Sequence, residues 1–170
     1  MDNLILVNSN DEKIGLCEKI MAHKYGLLHR AFSIVIYSEY KGQKMVLLQQ
    51  RAMSKYHGGG LWSNTCCSHF LPGKCDLETL NLRLMHEVGI ISKLEFCGKF
   101  QYKAKIGSMI ENEIDYVFVG EIDYQVPKHN PQEAMNTSWV SLNDLMNIDL
   151  KQKIYSPWLD KVMKIAFSNI

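Results

Sequence analysis

A mixed α/β (α+β) sandwich, built as a single domain, is the fold class this sequence predicts. Three observations predict it: strand-like runs outnumber helical ones, one amphipathic helical pattern stands mid-chain, and two capped helical segments close the chain. With 170 residues, 46% of them hydrophobic, there is material for one domain with a substantial core and too little for two.

Leu4 to Val7 reads as a short strand, followed by the turn-prone run N-S-N-D-E-K. Residues 1–30 then form a lead-in that carries Lys19, His23 and His29. Ala31 to Tyr37 and Lys44 to Gln49 are rich in β-branched and aromatic residues and are separated by E-Y-K-G-Q, the pattern of a hairpin. Gly58, Gly59 and Gly60 mark a loop. Cys75 to Val88 places leucines at 77, 80 and 84 with Val88 on one helical face, with Asp76 as N-cap and Gly89 as terminator. Strand signals return at Leu94 to Tyr102 and Glu113 to Ile122. Pro127 and Pro131 interrupt them before Thr137 to Val140. Two helices are expected to follow, capped by Ser141 and Ser156, with Pro157 at a first helical position.

A formal net charge of +1 provides no broad basic field, which argues against nucleic acid or an anionic membrane surface as partner. Five cysteines, including the adjacent Cys66 and Cys67, argue against a disulfide framework and for a reducing compartment, so a cytoplasmic protein is expected. The opening residues carry an acid and no basic region, and their apolar run is too short for a signal peptide or membrane span.

The chemistry concentrates in W-S-N-T-C-C-S-H at 62–69 and E-N-E at 111–113. If both are strands, the period of two puts Cys67 and His69 on one face, and likewise Glu111 and Glu113. Imidazole nitrogen and carboxylate oxygen from His23, His29, His69, Glu111 and Glu113 make a donor set for a divalent metal, Zn²⁺, Mn²⁺ or Mg²⁺. A spacing of six leaves His23 and His29 on different sides of a helix, so a shared metal requires K-Y-G-L-L to loop. The plain alternatives are hydrogen-bonded histidines and glutamates on the solvated face of an edge strand. For Cys67 they are a small buried residue or a zinc ligand with Cys66, His69 and Cys75; adjacent cysteines face opposite ways on a strand, which disfavours the zinc site. An exposed thiol near cations is expected to have a lowered pKa and to exchange a proton. Glu87 falls in the last turn of the middle helix, where the macrodipole disfavours an anion by roughly 0.3 to 1 kcal/mol and a bound Mg²⁺ would reverse that preference. Lys19, Arg51, Lys55 and Arg83 are cations able to clamp an anion or to remain solvated. Trp158 and Tyr102 read as core aromatics, with a cation-stabilising ring face and a carboxylate-binding hydroxyl as their functional alternatives.

Taken as an ordered set, A-H at 22–23, L-H-R-A-F-S at 28–33, Q-R-A-M-S-K at 50–55, W-S-N-T-C-C-S-H, H-E-V-G-I at 86–90, E-N-E and S-P-W at 156–158 are specific. The chain resembles the type I isopentenyl diphosphate isomerases of the Nudix-fold superfamily, almost end to end. The resemblance implies a Nudix-like α/β/α sandwich around a mixed sheet. It implies the interconversion of isopentenyl and dimethylallyl diphosphate by protonation and deprotonation of an allylic unit, with Cys67 and Glu113 as the acid/base pair. Tyr102 would support Glu113, and Trp158 would face the tertiary carbocation. His23, His29, His69, Glu111 and Glu113 would hold the first metal, and Glu87 a Mg²⁺ that bridges to the diphosphate. Lys19, Arg51, Lys55 and Arg83 would bind the diphosphate of a small isoprenoid substrate, in a monomer or homodimer. The chain departs from hydrolases of the superfamily between Gly73 and Gly89: Leu82, Arg83 and His86 stand where those carry Arg, Glu and Glu, and only Glu87 remains of the acidic cluster. Phe70 and Ser63 also replace the family's usual proline and threonine. That departure weakens the competing enzyme reading, a Nudix pyrophosphohydrolase, which needs several carboxylates for its metals; a metal- or diphosphate-binding module is the non-enzymatic reading.

Overall fold

A computed structural model describes residues 3–170, so the first two positions of the expected lead-in lie outside the described residues. β1 (Asn3–Val7) pairs antiparallel with β2 (Lys13–Glu18). β2 corrects the sequence reading, in which the chain from Asn8 to Lys13 is a turn and no strand follows. Its Ile14 and Leu16 are exposed, so the strand rests on its backbone ladder to β1 rather than on a buried face. Lys19–Tyr25 form α1, a second element the sequence does not announce; the Glu18 side chain caps it by accepting from the Met21 N–H.

β3 (His29–Tyr40) and β4 (Gln43–Arg51) make the expected hairpin, longer at both ends than their apolar runs. Lys41 and Gly42 join them with φ of 52° and 73°, the left-handed pair that matches strand twist. β5 (Trp62–Ser63) and β6 (Cys66–His69) follow, then α2 (Leu77–Val88), capped by Asp76 and ended by left-handed Gly89 as the sequence predicts. β7 (Leu94–Ile106) and β8 (Met109–Glu121) form a long hairpin, and β9 (Ala134–Ser141) leads into α3 (Leu142–Asn147), which Ser141 caps. α4 (Leu159–Ala166) begins later than predicted. Ser156 does not cap it and Pro157 is not in its first turn. The Ser156 hydroxyl is buried against that of Ser63, 3.1 Å away, and Trp158 takes the N-cap position without a side-chain bond.

β3 is the hub of the nine-stranded sheet. It pairs antiparallel with β1, β4 and β6 and parallel with β8, which makes the sheet mixed. Period-two alternation sorts its side chains. Phe32, Ile34 and Ile36 pack with Leu80, Leu84 and Val88 of α2 on one face, while Val35 packs with Leu159, Val162 and Met163 of α4 on the other. A helix layer on each face gives the α/β/α sandwich. Continuing the same alternation, His29, Ala31 and Ser33 share the α4 face, and the candidate site is built there.

Candidate active site

Register brings the site together in rows across the sheet. Tyr102, Glu113 and His29 stand opposite one another on β7, β8 and β3. Asp115, Ala31 and His69 form the next row, and Val117, Ser33 and Cys67 the third. Glu111 lies one row beyond Glu113, toward α1, which presents His23. The loop that a shared metal demands is present: α1 stops at Gly26 with φ of 60°, and Ile110 leaves no room there for a side chain, since a Cβ would come within 2.8 Å of its Cγ2. The solvated-edge reading of the glutamates fails, because β8 is paired on both sides and Glu111 and Glu113 are 1% and 6% exposed.

One ligand atom from each of His23, His29, His69, Glu111 and Glu113 lies within 4.8 Å of all the others. His23 Nδ1 lies 2.7 Å from the Lys19 carbonyl, and His29 Nδ1 lies 2.8 Å from that of Leu27. A carbonyl can only accept, so Nδ1 carries a proton in both rings and each Nε2 turns inward, the orientation a metal requires. Among the described residues, His29 Nε2 is buried without a hydrogen-bond partner. Burial lowers the His69 pKa to about 3, so this ring is neutral at neutral pH. Burial pushes Glu113 upward, but His29 and His69 beside it hold the carboxyl well below its usual range. A buried, anionic cluster of nitrogen and oxygen donors fits a divalent cation, which supplies the missing positive charge. Metal-stripped protein is accordingly expected to melt at a higher temperature when Mn²⁺ or Zn²⁺ is restored, by the equivalent of about 2.7 kcal/mol at hundredfold excess over the dissociation constant. Differential scanning calorimetry with and without the ion checks this.

Glu113 also accepts from the Tyr102 hydroxyl at 2.6 Å. Cys67 faces the same cleft from β6, and Arg51 Nη1 donates to its sulfur at 3.4 Å. The lowered thiol pKa expected from sequence is overturned. Burial raises it to about 12 and outweighs the pull of Arg51, so Cys67 is a thiol and not a thiolate at neutral pH. Cys66 packs into the opposite core with α2, and no cysteine joins the metal-donor group among the described residues, which removes the zinc alternative. The Trp158 indole is 3% exposed. Its Nε1 donates to Ser63 Oγ at 3.0 Å and Asn64 Oδ1 at 3.1 Å, so the ring face is held fixed at the cleft.

Lys19, Arg51, Lys55 and Arg83 all line this cleft. Glu87, read as either exposed or metal-binding, is 2% exposed: Arg83 Nε donates to one oxygen at 2.7 Å and Gln49 Nε2 to the other at 2.8 Å. Both bonds offset the unfavourable helix C-terminus. Four residues at the site escaped the sequence reading. Glu133 accepts from Arg83 Nη2 at 2.8 Å and is paired with Lys55. Asp115 is buried on the cleft, with burial and then the charge of Glu113 raising its pKa well above normal, and Ser33 donates to it at 2.8 Å. Its signal was available, since E-N-E-I-D places Glu111, Glu113 and Asp115 on one strand face. Tyr56 and His57, in the loop before the triple glycine, pack on His23 at 5.5 and 5.4 Å between ring centroids. Nothing in their local sequence announces them.

Comparison with known proteins bears on the family and the fold. The NUDIX domain family model matches residues 27–162. The isopentenyl-diphosphate Delta-isomerase 2 of Aromatoleum aromaticum is 42% identical over 160 residues, covering 93% of this chain and 82% of that protein. The chain belongs to the isopentenyl-diphosphate Delta-isomerase family. A second such relative, the isopentenyl-diphosphate Delta-isomerase of Serratia proteamaculans, is 40% identical over 98% of this chain and 92% of its own length. Among solved structures, Deinococcus radiodurans DR0079 superimposes with a TM-score of 0.76 at 14% identity, covering 96% of this chain and 98% of that one. The NUDIX domain of Shewanella oneidensis NrtR, solved with ADP ribose, gives 0.63 at 16% identity, over 84% and 86% of the two chains. At such identities the likeness is one of fold. Family membership at 40% identity is what separates this chain from hydrolases that share its architecture.

Proposed function

We propose that this chain interconverts isopentenyl and dimethylallyl diphosphate. The observation that carries the reading, beside family membership, is that Cys67, Glu113 and Trp158 line one cleft together with the four cations. In the forward direction the π pair of the terminal alkene takes a proton, which leaves a tertiary cation. The C–H pair on the other side of that centre then forms the new double bond as its proton departs. Cys67 and Glu113 are the two proton-exchanging groups, one on each side of the hydrocarbon, and each serves as acid in one direction and base in the other.

An alkene is a weak base, so the cation must be stabilised where no water traps it. The fixed indole face of Trp158 offers a π surface that cannot alkylate as a carboxylate would. Tyr102 orients Glu113. Lys19, Arg51, Lys55 and Arg83 anchor the diphosphate, with Glu133 holding Lys55 and Arg83 in place, and this anchorage supplies the orientation that turns binding into rate. His23, His29, His69, Glu111 and Glu113 hold one divalent metal, Mn²⁺, Mg²⁺ or Zn²⁺, which when bound fixes Glu113 and tunes its affinity for a proton. Glu87 would help hold a Mg²⁺ that adds positive charge for the diphosphate, since each of its oxygens keeps a lone pair beyond the bonds from Arg83 and Gln49. Residues 1–170 work as one domain, to which the lead-in contributes Lys19, His23 and His29. The substrate is a small molecule, and we assign neither nucleic acid nor membrane as a partner to this monomer or homodimer. No helix among the described residues is long and apolar enough to cross a membrane. Five unpaired cysteines support a cytoplasmic location.

Proton and phosphorus NMR of the protein with isopentenyl diphosphate and Mg²⁺ in D₂O tests the reading. Dimethylallyl diphosphate carrying deuterium is expected. Released phosphate or pyrophosphate would transfer the chain to the hydrolases, and two unchanged spectra would overturn the assignment.

A further inference from the structure

Glu111 has two carboxylate oxygens, and they meet different partners. Oε2 lies 3.4 Å from Nε2 of His23, one of the five residues whose donors converge. Oε1 is paired with Nε2 of His57, a residue 8% exposed that is not one of the five. His57 Nδ1 has no hydrogen-bond partner, so its link to Glu111 is the polar engagement of this buried ring.

The loop that carries His57 is tightly specified. Arg51 Nη2 donates to the His57 carbonyl at 3.2 Å, and the Gly60 N–H returns a bond to the Arg51 carbonyl at 2.9 Å. At Gly59 a Cβ would come within 2.7 Å of the Met53 carbonyl oxygen, so the tight path demands glycine. The Tyr56 ring packs on that of His57 with 4.1 Å between centroids, and the His23 ring closes the other approach.

We infer that His57 is a positioning residue for the metal site: by holding Oε1 of Glu111 it commits the other oxygen to the ion. An unrestrained carboxylate rotates and alternates between one- and two-oxygen binding, at an entropic cost on each capture of metal. A partner on its outer oxygen removes that freedom, as supports behind metal ligands generally do. The inference rests on the five-donor metal reading above.

Co²⁺ alone is the probe, with affinity measured by competition against a chromophoric chelator. His57→Leu, which keeps volume without the donor, is expected to weaken Co²⁺ binding about ten- to hundredfold. His57→Gln, whose amide still donates, is expected to recover most of that loss, a rescue that a purely structural role would not show. His57→Ala replaces the Leu variant if circular dichroism shows that the latter does not fold. X-ray absorption is expected to count three imidazoles around Co²⁺ in wild type and variants alike. Unchanged affinity in the donor-less variant would overturn the inference, and so would a fourth imidazole in the wild type, which would make His57 a ligand. A wild-type chain that takes up no stoichiometric Co²⁺ would overturn the metal reading together with it.

Discussion

Cys67→Ala is expected to abolish turnover in practice, a loss of roughly 10²- to 10⁴-fold or more, while metal and diphosphate binding persist. In the proposed mechanism the thiol is one of the two groups that exchange a proton with the hydrocarbon, and it does not belong to the metal-donor group. Its removal therefore takes chemistry and leaves binding. Burial holds it as S–H, and its sulfur accepts from Arg51, so alanine removes one bond of that buried guanidinium and leaves it the bond to the His57 carbonyl. The measurement is single-turnover isomerisation beside calorimetric titration with the substrate. An active alanine variant would remove Cys67 from the mechanism.

Glu113→Gln is expected to damage two properties together, and the pairing makes it diagnostic. The carboxylate faces His29 and His69 at 3.3 and 3.0 Å and accepts from Tyr102 at 2.6 Å. Glutamine keeps the shape but loses the charge that a cation needs, and its amide nitrogen cannot accept from Tyr102 or coordinate metal. Activity should fall by roughly 10²- to 10⁴-fold for the lost proton exchange alone. Metal affinity should fall as well, which excess metal can repair. Assays across a metal titration separate the two: occupancy of the site recovers at high metal while turnover stays low. Full recovery of turnover would restrict Glu113 to ligation.

Much of the architecture was legible because local rules wrote it. Asp76 and Gly89 bracket α2 by capping chemistry, Lys41-Gly42 turns the β3–β4 hairpin, and period-two spacing in E-N-E and C-S-H set which side chains share a face. The errors fall where local rules are silent. β2 is held by its ladder to β1 despite exposed Ile14 and Leu16. Ser156 has the composition of a cap, yet its hydroxyl serves Ser63, 93 residues earlier.

By itself the sequence determined the donor types, the ordered motifs and the face on which each strand residue would stand, since these depend on chemistry and on backbone geometry within a few residues. Only the tertiary structure decided the environment of each group. It set Cys67 half-buried in the cleft wall and so raised a pKa that full exposure would have lowered. It moved Glu111 and Glu113 from an imagined edge to the paired interior, set Glu133 on Lys55 and Arg83, and placed His57 against Glu111. Desolvation and Coulomb energy depend on distance and burial, and those are fixed by register between strands far apart in the chain.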